Sequence, residues 1–271
     1  MRSIQKTCAI IGCGWLGFTL AQRLVKDNFV VHGSTRSEEK REQLEKAEII
    51  PHVLNGDDFY STHDWLNLLD VLILNIPPSA FDEDYGKAML SIAKQLNVNC
   101  NVIFVSSTSV YPDFNRAVNE QTPATGTNRN GAVVRKAEQL LIDELGGRLT
   151  ILRMAGLVGG KRHPVRFLSG RTLKGGDAPI NLVHREDCIG VIRKVVDRNF
   201  WGEIINVCAS QHPKKKAYYE KIATESGLES PEFLEGNEIG YKIVDNRKSK
   251  EQLGYQYRFD NPYDFPTDIL G

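Results

Sequence analysis

The feature that most constrains this chain is the run Gly12-Cys-Gly14-Trp-Leu-Gly17, set between an apolar stretch at 8–11 and a segment whose residues Leu16, Leu20, Ala21 and Leu24 repeat at helical spacing. Glycines placed in this way serve three purposes. The first permits a tight turn, the second lets the main chain approach a pyrophosphate, and the third lets helix and strand pack closely. The free amides and the positive dipole end of the helix then attract the anion. The sequence therefore predicts a dinucleotide cradle formed by Gly12, Gly14, Trp15, Leu16 and Gly17. The bland alternative is a glycine turn that holds nothing.

Short apolar runs recur at 8–11, 29–31, 53–54, 71–76, 102–105, 149–152 and 204–207, and segments of helical period separate most of them. Those at 71–76 and 102–105 do not alternate with polar residues, as expected of parallel strands covered on both faces. The fold class predicted is α/β, a doubly wound, mostly parallel Rossmann sheet with a small C-terminal substrate lobe. Helices are expected at 38–46 behind a Ser37 cap, and at 87–96, 131–145 and 186–198. Residues 1–154, completed by about 181–209, read as the nucleotide-binding domain. Residues 155–180 and 210–271, richer in Gly, Pro and charge, read as the substrate-side lobe.

Composition removes several classes of function. At 271 residues the chain can bury roughly three quarters of its unfolded surface, and it needs no staples. Lys plus Arg and Asp plus Glu both number 34, so no basic field exists to hold nucleic acid by counterion release. The five cysteines lie among apolar neighbours without C-x-x-C spacing, and the six histidines show no H-x-x-x-H pair. Buried thiols in a reducing compartment are expected, and no metal site. No run is long enough for a membrane span, and glycines break the N-terminal apolar run too early for a secretory signal. A cytoplasmic protein with a small-molecule substrate is the expectation.

The residue after the second strand chooses the cofactor, because an acid there holds a free ribose 2′-hydroxyl whereas an Arg accommodates a 2′-phosphate. Here the stretch ends in Thr35-Arg36-Ser37, with no acid at the strand end. NADP(H) is favoured over NAD(H), against the alternative that Arg36 pairs with Glu38 or Glu39. Asn75 and Pro77, ending the fourth strand, should border the cofactor by position.

With Gly12 to Gly17, Thr35-Arg36, Gly56-Asp57, Asn75-Ile-Pro-Pro78, Ser106-Ser-Thr-Ser-Val-Tyr111, Leu152-Arg153 and Asn181-Leu-Val-His184-Arg-Glu-Asp187 in view, the chain resembles the extended short-chain dehydrogenase/reductase superfamily. The resemblance is to its atypical, nucleoside-diphosphate-sugar-epimerase-like branch. It implies that Asp57 lies near the adenine and that Ser107 hydrogen-bonds the reacting oxygen. It also implies a monomer or a homodimer paired through the helices at 87–96 and 131–145. Tyr111 and His184 fall in segments that face the substrate in such proteins.

The family's acid/base pair is missing. Matching residues 131–140 to the family's Y-G-x-S-K-x-x-A-E-x-L helix puts Asn130 at the Tyr position and Val134 at the Lys position, and none of the nine tyrosines is followed by Lys four residues on. Lys136 lies ~200° around the helix from Val134. A tuned proton donor typically contributes about 10² to 10⁴ in rate. His184, His163 and Glu120 are substitutes by location only. Arg162, Arg166, Arg171 and the run Lys214 to Lys216 could meet an anionic substrate, but surface charge, and for the lysines a solvated helix start, is the reading favoured. Three readings stay open: an NADP(H)-linked oxidoreductase or epimerase, a non-catalytic NADP(H) sensor, and a hydroxyacid- or ketopantoate-type reductase, which requires an all-helical second domain.

Overall fold

Each of the seven apolar runs becomes a strand of one sheet. In the computed structural model, which describes residues 5–81, 84–126, 128–236 and 239–266, they are β1 (Thr7–Ile11), β2 (Val30–Thr35), β3 (Ile50–Val53), β4 (Val71–Leu74), β5 (Asn101–Ser107), β6 (Leu149–Met154) and β7 (Ile204–Val207). The order across this parallel sheet is β7-β6-β5-β4-β1-β2-β3, the doubly wound architecture expected. Every residue of β4 and β6 is buried, which is why those runs read as unbroken apolar sequence. β3 forms the edge, and its Ile50 is half-exposed.

β2 runs four residues past its apolar sequence because its polar side chains find partners. His32 Nδ1 lies 2.9 Å from His52 Nε2 on β3. Ser34 Oγ accepts a hydrogen bond from the Gly12 amide at 2.8 Å. Paired polar groups are tolerated inside a fold where unpaired ones are not.

Helices α1 (Gly17–Lys26), α2 (Glu38–Lys46), α3 (Tyr85–Ala93), α4 (Arg129–Leu145) and α5 (Arg185–Arg198) lie between these strands in sequence, and α6 (Lys215–Glu225) follows the last of them. Ser37 caps α2 by accepting from the Lys40 amide at 3.3 Å, and Glu38 and Glu39 favour its dipole. Asn128 caps α4 through the Gly131 amide at 2.7 Å, and α4 stops at Gly146, whose φ is +53°. The helix expected at 87–96 begins earlier because Tyr85 is buried and its hydroxyl donates to the Ile76 carbonyl at 2.9 Å. α3 and α4 meet at Gly86, where an added Cβ would stand 3.0 Å from Leu140 Cδ1 and 3.4 Å from Ala137 Cα.

β1 pairs with β2, Cys8 beside Val31, and with β4, Cys8 beside Val71. The chain thus winds from β1 out to β3 and resumes on the other side at β4. The carboxyl ends of β1 and β4 form the switch point at which open α/β sheets bind ligands. No helix among the described residues is long and apolar enough to cross a membrane. All five cysteines are buried and unbridged.

The chain divides into two compact units. The first comprises Met1–Ser107, Asn128–Leu152 and Ile192–Ile204, and the second Thr108–Thr127, Arg153–Val191 and Ile205–Gly271. Within the second, three short parallel pairs form between Gly156–Val158 and Leu182–His184, Thr172–Leu173 and Glu232–Phe233, and Arg116–Val118 and Lys242–Val244. Val158, Val165, Leu182, Tyr218, Ile222 and Phe265 make its apolar centre. Asp187 is fully buried and accepts from the Tyr255 hydroxyl at 2.9 Å, the Arg258 amide at 2.7 Å and the Phe259 amide at 3.1 Å. Three donors offset the cost of removing a carboxylate from water. Tyr255 reaches it only because residue 190 is glycine, since a Cβ there would lie against the Tyr255 hydroxyl at 2.1 Å.

Buried histidines give the fold an acid limit. His163 Nδ1 accepts from the Val165 amide at 3.1 Å, so Nε2 carries the proton and donates to the Tyr218 hydroxyl at 3.0 Å. Burial pushes its pKa down to about 4. Trp65 stacks on His52 with ring centres 3.8 Å apart, and burial followed by the neighbouring His32 and His63 pushes His52 down to about 4. With folded values below the unfolded one, these groups contribute stability that is complete above about pH 6.5 and is lost as pH falls toward 4. The thermal midpoint should therefore be lower at pH 5 than at pH 7.5, and His52→Phe, which keeps the stack, should narrow that difference. Gly190→Ala should cost about 1–3 kcal/mol in urea unfolding.

Candidate functional site

The turn between β1 and α1 is shaped by what surrounds it. Gly12 has φ +106°, and a Cβ there would fall 2.5 Å from the Asn75 carbonyl oxygen. A Cβ on Gly17 would overlap the Gly12 carbonyl oxygen at 2.2 Å and reach Asn75 Nδ2 at 3.0 Å. At Gly14 a Cβ would meet nothing within 4 Å. Two glycines are therefore closed against the chain, while the middle one faces open space. Close approach of chain to chain is the reason for the first and third, and room beside bare main chain is what the second leaves.

Two side chains hold the turn. Asn75 Nδ2 donates to the Gly12 carbonyl at 3.0 Å, and the Asn75 amide donates to the Ile11 carbonyl at 2.9 Å. Ser34, itself buried, accepts from the Gly12 amide through Oγ and from the Cys13 amide at 2.9 Å through its carbonyl. Gly33 lets this happen, because a Cβ there would lie 2.8 Å from both Cys13 Sγ and Ile49 Cγ2. The Cys13 thiol is buried, and burial pushes its pKa up to about 12, so it is no nucleophile at neutral pH. α1 opens with no side-chain cap and no acid in its first turn, unlike α2. Such an end favours an anion.

The other expected cofactor residues follow the sheet edge. Trp15 is half-buried and Leu16 buried. Thr35 is buried at the end of β2, and Arg36 after it is exposed. Asp57 is exposed in the 3₁₀ turn Gly56–Tyr60 that follows β3, a turn fixed by the Asn55 amide donating to Asp58 Oδ2 at 2.8 Å. Pro77 is exposed just beyond Asn75. Ser107 closes β5. All of these stand in the first unit, at or just beyond strand carboxyl ends.

At the two acid/base positions α4 presents an exposed Asn130 and a buried, apolar Val134. One turn further, buried Glu138 accepts a hydrogen bond from Ser106 Oγ at 2.5 Å. Neither Asn130 nor Val134 can supply a proton at neutral pH.

Several candidates in the second unit take structural places instead. Tyr111, expected beside the substrate, is fully buried: its hydroxyl donates to Asn206 Oδ1 and accepts from Arg153 Nη1, both at 2.9 Å, and the Arg153 guanidinium stacks 4.9 Å from the ring centre. Its hydrogen bonds are spent inside the core. Glu120 Oε1 accepts from the Asn206 amide at 2.7 Å. His163 is locked as described above. His184 is buried against Phe259 and Phe265, and its Nδ1 accepts from the Glu186 amide at 3.3 Å. Arg162, Arg166 and Arg171 are exposed, and Lys214 pairs with Asp177 at 2.9 Å.

Sequence reasoning missed Ser34, Gly33, Tyr85 and Glu138. Gly33 carried a usable signal, since glycine inside a strand marks a close approach. Ser34 and Tyr85 carried none, because their partners lie 22 and 9 residues away.

Comparisons with known proteins fit this geometry. Residues 7–139 match the family model of the NAD binding domain of 6-phosphogluconate dehydrogenase. The second unit, with its strand pairs, is not the all-helical domain that a hydroxyacid- or ketopantoate-type reductase requires. Among solved structures, a functionally unknown conserved protein from Silicibacter pomeroyi superposes with a TM-score of 0.78 at 23% identity, over 98% of each chain. The UDP-glucuronic acid 4-epimerase of Bacillus cereus, solved with NAD, superposes with a TM-score of 0.78 at 18% identity, over 97% of this chain and 98% of that one. These likenesses establish a shared fold. Protein YeeZ of Escherichia coli K12 is 34% identical over 274 aligned residues, which span 97% of this chain and all of YeeZ. On that full-length relationship, the chain belongs to the family of YeeZ.

Proposed function

We propose that the chain binds a nicotinamide dinucleotide and uses it as an oxidoreductase or epimerase on a small hydroxyl- or carbonyl-bearing substrate of sugar-nucleotide type. The observation that carries this reading is the asymmetry of the glycine turn: Gly12 and Gly17 are closed by chain contacts, whereas Gly14 borders open space at an uncapped, acid-free helix start. A turn kept only for packing has no use for bare main chain at its middle glycine. The residues present suit the cofactor. Main-chain amides of the turn hold the pyrophosphate, exposed Arg36 meets a 2′-phosphate and favours NADP(H), and Asp57 lies on the adenine side. Asn75 and Pro77 border the nicotinamide half, and Ser107 hydrogen-bonds the reacting oxygen. The nicotinamide supplies the hydride chemistry when bound. Solved structures of the same fold support the substrate class, since that of the Thermotoga maritima UDP-glucose 4-epimerase contains UDP-glucose. The second unit is the substrate lobe in this reading.

Asn130 and Val134 favour a second reading, a dinucleotide-binding sensor without turnover, because a buried valine cannot lower any neighbour's pKa.

Two measurements separate these. Gly14→Ala should leave the thermal midpoint within about 2 °C, because the added Cβ meets nothing within 4 Å, yet weaken NADPH binding at least about tenfold, close to 1.4 kcal/mol. Unchanged affinity would leave the turn merely structural. Arg36→Ala should weaken NADPH about tenfold and NADH less than twofold; equal losses would remove the 2′-phosphate assignment. NADPH consumed against small carbonyls, or a UDP-sugar epimerised in the presence of the dinucleotide without its net consumption, would establish an enzyme. In that case Asn130→Tyr with Val134→Lys should raise the rate by about 10² or more, whereas neither NADPH consumption nor epimerised product from the native chain supports the sensor.

A further inference from the structure

Between the cradle and the end of β5 lies a buried acid that the proposed chemistry does not use. Glu138 is 3% exposed, on the sheet-facing side of α4. Its Oε1 accepts from Ser106 Oγ at 2.5 Å, and Ser106 immediately precedes Ser107. α4 meets α3 at the Gly86–Ala137 contact, made by the residue after Tyr85 and the residue before Glu138. Burial first, and then the Glu138 charge, raise the Tyr85 pKa. The Tyr85 hydroxyl in turn donates to the Ile76 carbonyl at 2.9 Å, and Asn75, one residue earlier, holds the Gly12 carbonyl at 3.0 Å.

Burying a carboxylate costs several kcal/mol before partners are counted, and an apolar side chain of similar volume often packs as well or better. An acid kept in this position is best explained by what its hydrogen bond fixes. We propose that Glu138 is a positioning residue that sets the end of β5 on one side and, through the α3–α4 contact and Tyr85, the 75–78 loop on the other, so that the Gly12–Gly17 turn keeps the shape a dinucleotide needs. This rests on the cofactor reading above for its binding consequence, but not for its structural one.

The test uses the full chain and two variants. Ser106→Ala with Glu138→Leu removes both partners of the hydrogen bond together, a change that can be nearly neutral for stability. Glu138→Gln keeps a carbonyl oxygen to accept from Ser106. The double variant should hold its thermal midpoint within about 5 °C, yet bind NADPH about tenfold more weakly, and amide hydrogen exchange at Asn75 and Ile76, the two residues of the loop that carry an amide hydrogen, should accelerate severalfold without any cofactor present. Glu138→Gln should restore both to near the native values. Native exchange at Asn75 and Ile76 in the double variant, or equal loss in both variants, overturns the proposal. A native chain that binds neither NADPH nor NADH defeats the cofactor reading, and the exchange comparison still decides the role of Glu138.

Discussion

The contact between Asn75 and Gly12 is the constraint from which the nucleotide-binding edge follows. A single side-chain amide, 3.0 Å from a glycine carbonyl, ties the end of β4 to the turn after β1 across 63 residues of sequence. It works only because neither Gly12 nor Gly17 carries a Cβ, since each would overlap main chain or the Asn75 amide itself. Ser34 closes the same turn from the β2 side through a hydroxyl and a carbonyl. Three strands are therefore fastened at one place, and the helix that starts there carries no side-chain cap and no acid in its first turn.

Much of the fold was legible because parallel strands buried on both faces leave long apolar runs, and seven such runs became seven strands. β7 was read to the residue, as was α2 with its Ser37 cap. The errors share one cause. β2 continues through His32, Gly33, Ser34 and Thr35, residues that composition assigns to a loop, because His52 and the Gly12 amide satisfy two of their polar groups. Partners brought together by tertiary structure are invisible to a local window. Tyr111 differs for the complementary reason: the resemblance places its segment facing the substrate, while Arg153 and Asn206, distant in sequence, hold its hydroxyl in the core.

Within the candidate site, the glycines were readable because their chemistry is local, and the missing Tyr and Lys were readable because the helix that should carry them keeps its period. The structure adds the kind of substitution involved. Val134 is buried at 3% exposure, so the lysine position has become part of the apolar packing of α4. Asn130 remains in water one turn earlier. The sheet-facing side of this helix is apolar at Val134 and polar one turn later at Glu138.

The Asp187 cluster has a consequence for how the protein is made. Its three donors, Tyr255, Arg258 and Phe259, lie 68 to 72 residues downstream. Until the ribosome has released those residues, α5 displays an acid that cannot be taken out of water without large cost. The interior of the second unit can therefore seal only once residues 255–259 have been made, while the strands on which the glycine turn depends have long since emerged. A nascent chain stalled before residue 255 would hold the second unit open to quality-control proteases.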